Sequence, residues 1–445
     1  MFLKNPFAVL LFFLPILLHG QEEKKKLKDW IESSLVVEMD IAKEFKSKDF
    51  QKTELLLQPE FTFKKSKNSK FVFKGQIYMD FNDKLEAGEP KEATVSDFSQ
   101  RLFIGDRLNF ELREFYWYTN IHKKLRLTTG KQQIVWGETD GLKLLDIVNP
   151  QNFREFVLDD FENSRIPLWS VKAEFDVKDI GVQWIWIPDN TYHITQDFDA
   201  PFFTKNLIQM PPEGVPFMME KVNKPNRFIA DSDIGIKLNT FVKGWDLSLN
   251  YLYYYDDLPV LYTALNMDDI GNPSIAVVPK FEREHLLGGN FNKVFGSAIF
   301  RGEIAYIFNH NFSSIDQGTV NGIESSGQYK SAIALDYIKG EYFLSFQLFS
   351  DLIISDISAY NRDKFETNTS FKFSKEMMND NLTAEMLWVH NANHGDGYIR
   401  PQLSYWLSSN SQLFLGSTIF YGNENYLFGQ FQDRSRVSLG MKWGI

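Results

Sequence analysis

Apolar and polar residues alternate along most of this chain with a period of two, in segments that end at Gly, Asn, Asp or charged turns. The last segment has the clearest pattern: Val437, Leu439, Met441, Trp443 and Ile445 alternate with Ser438, Gly440, Lys442 and Gly444. Because successive side chains of a strand point to opposite faces, this pattern predicts strands with one apolar face. The chain is therefore predicted to be all-β.

Short and long connections alternate between these segments. Tight turns such as 338–341 follow some strands, whereas long connections lie near 83–106, 136–168, 188–231 and 258–282. Short periplasmic turns and long extracellular loops are typical of bacterial outer-membrane barrels, which have even strand numbers. We predict a single transmembrane antiparallel β-barrel of roughly 16 to 18 strands, with 18 favoured.

The stretch 27–45 has two interpretations. Leu35, Val37 and Met39 alternate as in a strand, and counting this strand first brings the total to the favoured even number. Trp30, Leu35 and Met39 also fall near helical spacing, which is the pattern of an amphipathic periplasmic helix. Both interpretations stay open at this point.

The N-terminus has the pattern of a cleaved secretory signal peptide. Lys4 precedes an apolar stretch that ends at Leu18, and small Gly20 precedes a charged segment. We assign 1–20 to the signal peptide, 21–32 to an N-terminal periplasmic segment and 33–445 to the barrel. Export in this way predicts location in the outer membrane of a Gram-negative cell.

Composition narrows the class of protein further. The 445 residues contain no Cys and carry a net charge of -10, which excludes a disulfide scaffold and argues against nucleic acid as a partner. Aromatic residues make up 16% of the chain, as expected for girdles at membrane interfaces or for cross-strand packing in any β protein. The rival architecture is a soluble β-sandwich or propeller, but the sequence has no fixed repeat period.

The segment from Glu111 to Phe153 contains the most distinctive motifs. It reads Glu111-Leu-Arg-Glu-Phe-Tyr, then Gly130-Lys-Gln-Gln-Ile-Val-Trp-Gly-Glu-Thr-Asp, then Leu145-Asp-Ile-Val-Asn-Pro. These motifs resemble those of the DUF1302 family of outer-membrane barrels, and the overall pattern resembles porins more loosely. The resemblance implies a porin-like barrel, often associated with RND-type exporters of hydrophobic molecules, and supplies no catalytic residue.

Polar side chains of this segment are the candidate lining of a pore. A cation that faces lipid at mid-membrane costs about 2 to 4 kcal/mol, so most of them are expected to face the lumen. The predicted pore-lining or constriction residues are Glu111, Arg113, Lys131, Gln133, Trp136, Glu138, Asp140 and Asp146. Regular pleating cannot put Arg113 and Glu114 on one face. Either a bulge re-aims one of them, or Glu114 and Lys131 pair outside the apolar band.

The acidic connection after Trp136 also has two interpretations. It can fold inward and narrow the pore, where acidic groups would favour cations, or it can be a solvated external loop. The Asn149-Pro150 step is a turn signal in either case.

Motifs for other chemistry are mostly absent. His390 and His394 form the only local cluster of metal-like composition, yet they lie at a predicted strand end that leads into a Gly-rich loop. No Gly-x-Ser-x-Gly elbow or phosphate-binding loop occurs. We predict no enzyme, no cofactor and no metal.

The first functional hypothesis is a porin-like channel that passes small or amphiphilic molecules. The alternative is a plugged barrel that acts as a receptor or adaptor for an RND-type export system, and a barrel enzyme is third. Expected partners are outer-membrane lipids, lipopolysaccharide, the barrel-assembly machinery and an RND-type transporter. Such barrels usually finish on Phe or Trp, whereas here Gly444 and Ile445 follow Trp443.

Overall fold

The computed structural model describes residues 30–139, 141–197, 199–205, 216–267, 273–316, 319–360 and 362–445. In these ranges, 18 antiparallel strands form a closed barrel, which confirms the predicted fold class. The barrel strands are β1 (Ile31–Glu44), β2 (Phe50–Ser66), β3 (Ser69–Asp80), β4 (Leu108–His122), β5 (Leu125–Gln132), β6 (Leu168–Val177), β7 (Ile180–Ile187), β8 (Asp233–Val242), β9 (Trp245–Tyr255), β10 (Arg283–Phe295), β11 (Ala298–Ser313), β12 (Ile323–Lys339), β13 (Tyr342–Ile353), β14 (Phe365–Met377), β15 (Leu382–Asn391), β16 (Asp396–Ser408), β17 (Ser411–Tyr421) and β18 (Arg436–Gly444).

Each barrel strand pairs with the next one along the chain, and β1 closes the ring by pairing with β18, from Val36 opposite Gly444 to Glu44 opposite Arg436. The first strand begins at Ile31, whereas the barrel was predicted from residue 33. The helical interpretation of 27–45 is therefore wrong over Ile31–Glu44. The predicted signal peptide lies outside the described residues.

The two ends of the barrel differ in their connections. Tight turns such as 67–68, 243–244 and 340–341 join strands at one end, here called the turn end, where β1 also begins and β18 also ends. The other end, here called the loop end, carries the long connections 81–107, 133–167, 188–232 and 256–282. The predicted alternation of short and long connections is confirmed.

The long connections contain short elements of their own. They include the strands Leu102–Phe103, Phe217–Met219, Val260–Met267 and Pro273–Lys280 and the helix Phe161–Ser164. The 3-10 turns Val320–Gly322 and Gly429–Arg434 lie in two further connections, 314–322 and 422–435. No helix in the described ranges is long and apolar enough to cross a membrane.

The barrel wall is apolar outside and polar inside. Leu439 and Trp443 of β18 are exposed on the outer face, as their alternation predicts, whereas Glu303, Gln328 and Gln347 are buried on the inner face. A soluble protein has the opposite distribution. This arrangement is the one that a barrel surrounded by lipid requires.

The hydrophobic core lies inside the lumen, because connections from the loop end fold into it. One cluster joins Ile134, Trp136, Leu144, Leu145 and Val148 to wall residues of β6, β7 and β9 to β13. A second cluster joins Leu85, Phe156, Leu158, Phe202, Phe428 and Phe431 to wall residues of β15, β16 and β17. The connection 133–167, here called the lumen loop, contributes to both clusters.

Candidate functional site

The lumen loop is tied at its base by Asn149. The Oδ1 atom of Asn149 accepts a hydrogen bond from the N–H of Ile134 at 2.7 Å, and its Nδ2 donates to the carbonyl of Ile166 at 2.8 Å. The predicted turn at Asn149-Pro150 thus also links the two limbs of the loop. Since the loop packs inside the barrel, its interpretation as a solvated external loop is wrong.

One side of the lumen loop is held by apolar side chains that fit into the wall. Trp136 is buried, and its Nε1 donates to Gln183 Oε1 at 2.7 Å. A Cβ atom on Gly235 would lie 2.6 Å from the Trp136 ring, and one on Gly288 would lie 2.6 Å from Leu145. These two glycines leave the space that the loop side chains occupy. The wall is therefore shaped to receive the loop.

A buried wall carboxylate fixes the backbone of the same part of the loop. Glu303 of β11 accepts hydrogen bonds from the N–H groups of Glu138, Thr139 (2.9 Å) and Leu145 (3.0 Å). Hydrogen bonds to a charged acceptor are stronger than neutral ones. Sequence reasoning missed Glu303. The alternating pattern of β11 predicts that the Glu303 side chain points inward. No sequence feature near Glu303 predicts that it binds backbone N–H groups of the distant lumen loop.

The other side of the lumen loop is held by buried ion pairs. Glu155 Oε1 lies 2.6 Å from Lys52 Nζ, and Glu155 Oε2 lies 2.6 Å from Arg436 Nη2. The neighbouring Arg154 lies 3.4 Å from Glu54 of β2. Burial raises the pKa of Glu155, but Lys52 and Arg436 outweigh it and hold that pKa well below the usual value. Glu155 is thus an ionised link between the loop, β2 and β18.

Arg113, a predicted pore residue, also holds the lumen loop. Its Nη2 donates to the carbonyls of Glu162 at 2.9 Å and Arg165 at 2.7 Å, and its Nη1 lies 3.1 Å from Glu111. The five N–H donors of a guanidinium lie in one plane and point away from its centre, so one Arg can bind several carbonyls at once. Glu111 and Arg113 therefore face the lumen together.

A β-bulge accounts for this orientation of Arg113. In the pairing of β3 with β4, Lys74 lies opposite Glu114 and Gly75 lies opposite Leu112, so Arg113 is the extra residue. No ion pair joins Glu114 to Lys131 in the described part of the chain. The bulge is thus the correct one of the two alternatives.

Lys131 and Gln133 lie on the two sides of the junction between β5 and the lumen loop. Lys131 is fully buried at the end of β5. Gln133 Nε2 donates to the carbonyl of Glu162 at 3.2 Å, next to the bond from Arg113. A direct role of either residue in a pore stays a prediction.

The remaining predicted residues belong to the lumen loop itself. Glu138 Oε2 accepts a hydrogen bond from Asn292 Nδ2 of β10 at 3.1 Å. Asp146 accepts one from Arg165 Nε at 2.8 Å, within the loop. Asp140 lies outside the described residues. Trp136, Glu138 and Asp146 are thus engaged with the wall or with the loop, and their part in a constriction stays a prediction.

A polar cavity of about 50 Å³ lies between the lumen loop and strands β1 to β4. Its lining is mainly charged, with carboxylates and cations together: Glu38, Asp40, Glu54, Glu111, Asp159, Lys52, Arg101, Arg113 and Arg154. Two of the predicted pore residues, Glu111 and Arg113, are among them. This cavity, here called the charged cavity, is the candidate functional site.

His390 and His394, the sequence cluster of metal-like composition, each contact a tyrosine. His390 Nδ1 lies 3.0 Å from the Tyr421 hydroxyl, and the His394 ring stacks on Tyr426 at 3.9 Å. Asp256, Glu284 and His310 do bring potential metal-ligand atoms within 4.8 Å of one another at the loop end. Since His310 Nδ1 is hydrogen-bonded to Glu284 at 2.7 Å, a His–carboxylate pair is sufficient to account for this group.

A closed 18-strand barrel with a loop folded into its lumen has the architecture of the outer-membrane porins. The family model described as "Protein of unknown function (DUF1302)" matches residues 40–404, and the chain belongs to this family. The resemblance expected from the motifs after Glu111 is thereby confirmed. No curated protein matches the chain.

Solved porin structures have a similar fold. OccAB3 of Acinetobacter baumannii has a TM-score of 0.52 at 8% identity, with 93% of this chain and 99% of that chain covered. OccK1 (OpdK) of Pseudomonas aeruginosa has a TM-score of 0.52 at 10% identity, with 93% and 98% covered. OccAB2 of Acinetobacter baumannii has a TM-score of 0.51 at 10% identity, with 94% and 98% covered. At such low identity the likeness concerns the fold alone.

Proposed function

We propose that this chain is an outer-membrane channel that passes small solutes through the charged cavity beside the lumen loop. The observation that carries the proposal is the position of this loop, which is held on both walls and borders a polar cavity lined by β1 to β4. A loop folded into a barrel narrows its pore, and the charges at the narrowing determine which solutes pass. The proposal includes insertion among outer-membrane lipids and lipopolysaccharide by the barrel-assembly machinery.

The lining of the charged cavity favours small polar or amphiphilic solutes. Carboxylates such as Glu38 and Asp40 of β1 lie in the same cavity as Arg113 and Arg154. Opposite charges across a narrow passage produce a transverse field, which orients dipolar molecules more than it excludes one sign of charge. With a volume of about 50 Å³, the charged cavity would admit small solutes only.

A plugged barrel is the second candidate, in which the protein is a receptor or adaptor for an RND-type exporter of hydrophobic molecules. The two apolar clusters inside the lumen favour it, because they fill much of the cross-section with packed side chains. In this case the loop end would bind the partner or ligand, and little current would pass.

Single-channel conductance of the refolded protein in a planar bilayer tests the two candidates. We expect stable open steps of small conductance. Glu38→Gln should lower the cation preference, measured as a shift in reversal potential, because it removes a carboxylate from the cavity lining. Glu341→Gln, in the exposed turn between β12 and β13, is the matched control and should leave the reversal potential unchanged. A folded, heat-modifiable barrel without any steps contradicts the channel and favours the plugged barrel.

A further inference from the structure

The barrel wall is low around β5 and β7. Strands β5 and β7 have 8 residues each, whereas β2 and β12 have 17 each. A strand rises about 3.3 Å per residue and is tilted by about 40°, so eight residues cover roughly 20 Å along the barrel axis. The apolar band of such barrels is about 25 Å tall. Strands β5 and β7 alone are therefore too short to cover it.

A segment of the connection 81–107 extends the wall above β5. The pairing of β4 with β5 begins only at Phe115 opposite Lys131. The part of β4 nearer the loop end, before Phe115, therefore does not pair with β5. The short strand Leu102–Phe103 pairs with this part of β4, with Leu102 opposite Phe110. A loop segment thus continues the sheet where β5 has ended.

This segment has an apolar outer side and a charged inner side. Leu102 and Ile104 are exposed, by 64% and 54%. Arg101 and Phe103 alternate with them: the Arg101 side chain is buried, lies 2.7 Å from Glu86 and 2.5 Å from Glu92, and stands 5.0 Å from the Phe103 ring. Alternation of this kind is the rule for wall strands of a membrane barrel. The segment therefore has the two faces of a barrel strand.

Phe98 lies on the outer surface above β6. Trp169 of β6 donates from its Nε1 to the Phe98 carbonyl at 3.3 Å, and its ring lies 6.4 Å from Phe115 of β4. Phe115 is exposed on the outer wall. The side chain of Phe98 is 84% exposed and so continues the apolar surface that Phe115 and Trp169 form.

Phe228 and Ile229 lie beyond the end of β7, much as Phe98 lies beyond the end of β6. The Phe228 ring packs edge-on against Trp186 with 5.5 Å between ring centroids. Trp186 lies on the outer face, because its neighbours Ile185 and Ile187 belong to the lumen cluster. Phe228 is 64% exposed and Ile229 is 77% exposed. Two separate connections therefore place large apolar side chains over the short strands.

We infer that Phe98, Leu102, Ile104, Phe228 and Ile229, here called the loop patch, are inserted into the acyl chains of the outer leaflet. The patch is continuous with the lipid-facing surface of β4, β6 and β7, and it lies where β5 and β7 are too short. Contiguous patches of exposed large apolar side chains normally mark an interface. The partner is therefore lipid, and the loop patch completes the apolar band. This inference rests on the proposed membrane location.

Site-directed labelling tests the inference directly, because the chain contains no Cys. Phe98→Cys and Ile229→Cys are each labelled with a small fluorophore and reconstituted into phosphatidylcholine vesicles with brominated acyl chains. Leu439→Cys, halfway along β18 on the outer face, is the control for contact with lipid. Asp356→Cys, in the connection 354–364 with its side chain 99% exposed, is the control for contact with water. Heat-modifiable migration verifies that each variant is folded.

We expect bromine quenching at positions 98 and 229 to be close to that at Leu439 and several-fold greater than at Asp356. Quenching at the level of Asp356, with Leu439 still quenched, overturns the inference and leaves the membrane barrel intact. Protection from both bromine and aqueous iodide also overturns it, because a protein would then cover the patch. Absence of quenching at Leu439 contradicts the proposed membrane location itself. Leu102→Cys replaces any patch variant that does not fold.

Discussion

The lumen loop contacts two walls of the barrel in different ways. On one side, Trp136 and Leu145 pack into spaces left by wall glycines, and this contact is apolar and filled. On the other side, Glu155 is held between Lys52 and Arg436, and the charged cavity lies next to it. Apolar packing closes one part of the lumen, whereas ion pairs hold the loop at a distance that leaves polar space.

The physical reason is that the two kinds of contact have different geometry. Apolar side chains gain free energy from every contact and therefore pack to the density of a protein interior. Buried charges are stable only when hydrogen-bonding groups surround them, and those groups hold fixed distances and angles. A channel needs both a rigid loop and a polar passage. Here the apolar wall can provide the rigid contact, and the charged wall can provide the polar passage.

Trp136→Ala should have the largest effect, because it breaks the apolar contact. Replacing a buried Trp by Ala typically lowers the free energy of unfolding by about 3 to 5 kcal/mol. We expect conductance to rise several-fold, since the loop loses its main anchor beside Gly235. Trp117→Ala on the outer wall is the matched control and should leave conductance unchanged. Unchanged conductance in Trp136→Ala would falsify the idea that this contact closes the lumen.

Glu155→Gln should have a somewhat smaller effect, because it breaks the charged contact but keeps a hydrogen-bond acceptor. Arg436 loses its carboxylate at 2.6 Å and Lys52 loses one of three, which should cost about 3 kcal/mol of unfolding free energy. Lys46→Ala removes an ion pair with Asp433 that is exposed on both sides and should cost less than about 0.5 kcal/mol. Urea unfolding of the refolded barrel measures both. Equal effects of the two variants would mean that Glu155 does not hold the loop.

Acidification should loosen the lumen loop through His193. Its Nδ1 accepts a hydrogen bond from the N–H of Gln151 at 2.9 Å, which links 188–232 to the lumen loop. Burial, together with Lys143, lowers the pKa of His193 from 6.5 to about 3. Asp257, 3.7 Å away, offers little charge to an imidazolium, because burial and Asp256 raise its pKa.

The sign of this effect follows from proton binding. Between pH 6.5 and about 3 the unfolded chain binds a proton at His193 that the folded chain does not. The free energy of unfolding should therefore fall by up to about 1.4 kcal/mol per pH unit as the pH is lowered through this window. His193→Asn should lose this part of the acid sensitivity in unfolding measured from pH 7 to 5. His122→Asn, exposed at the turn end, is the control; identical pH profiles for the two variants would count against His193.

Alternation alone was sufficient to predict the wall. Leu439 and Trp443 face outward as their period of two requires, and the even count of strands favoured a strand at Leu35 and Val37 over the helix. One buried or lipid-facing side imposes this pattern on every wall strand. The fold was therefore predictable from local sequence.

The interior of the barrel was less predictable, because its contacts join distant segments. Glu303 has no local feature that marks the backbone of Glu138 as its partner, and Glu155 gives no sign of Lys52 or Arg436. Trp136 was predicted to line the pore, but no local feature indicates that its ring packs against Gly235 of a distant strand. For Arg113 the sequence was compatible with either a bulge or a pairing of Glu114 with Lys131. Only the register of β3 with β4 identifies the bulge.

The closing pair of strands has a consequence for how the protein folds. Leu35 and Ile445 exchange backbone hydrogen bonds of 3.0 and 2.8 Å, so the first and last strands of the barrel meet in one ladder. All other wall ladders join strands that are consecutive along the chain and so can form from local hairpins. Contacts between distant residues form slowly, and an unclosed sheet has two free edges that can pair with other chains. The 9 residues of β18 therefore control the moment at which an aggregation-prone sheet becomes a barrel without edges.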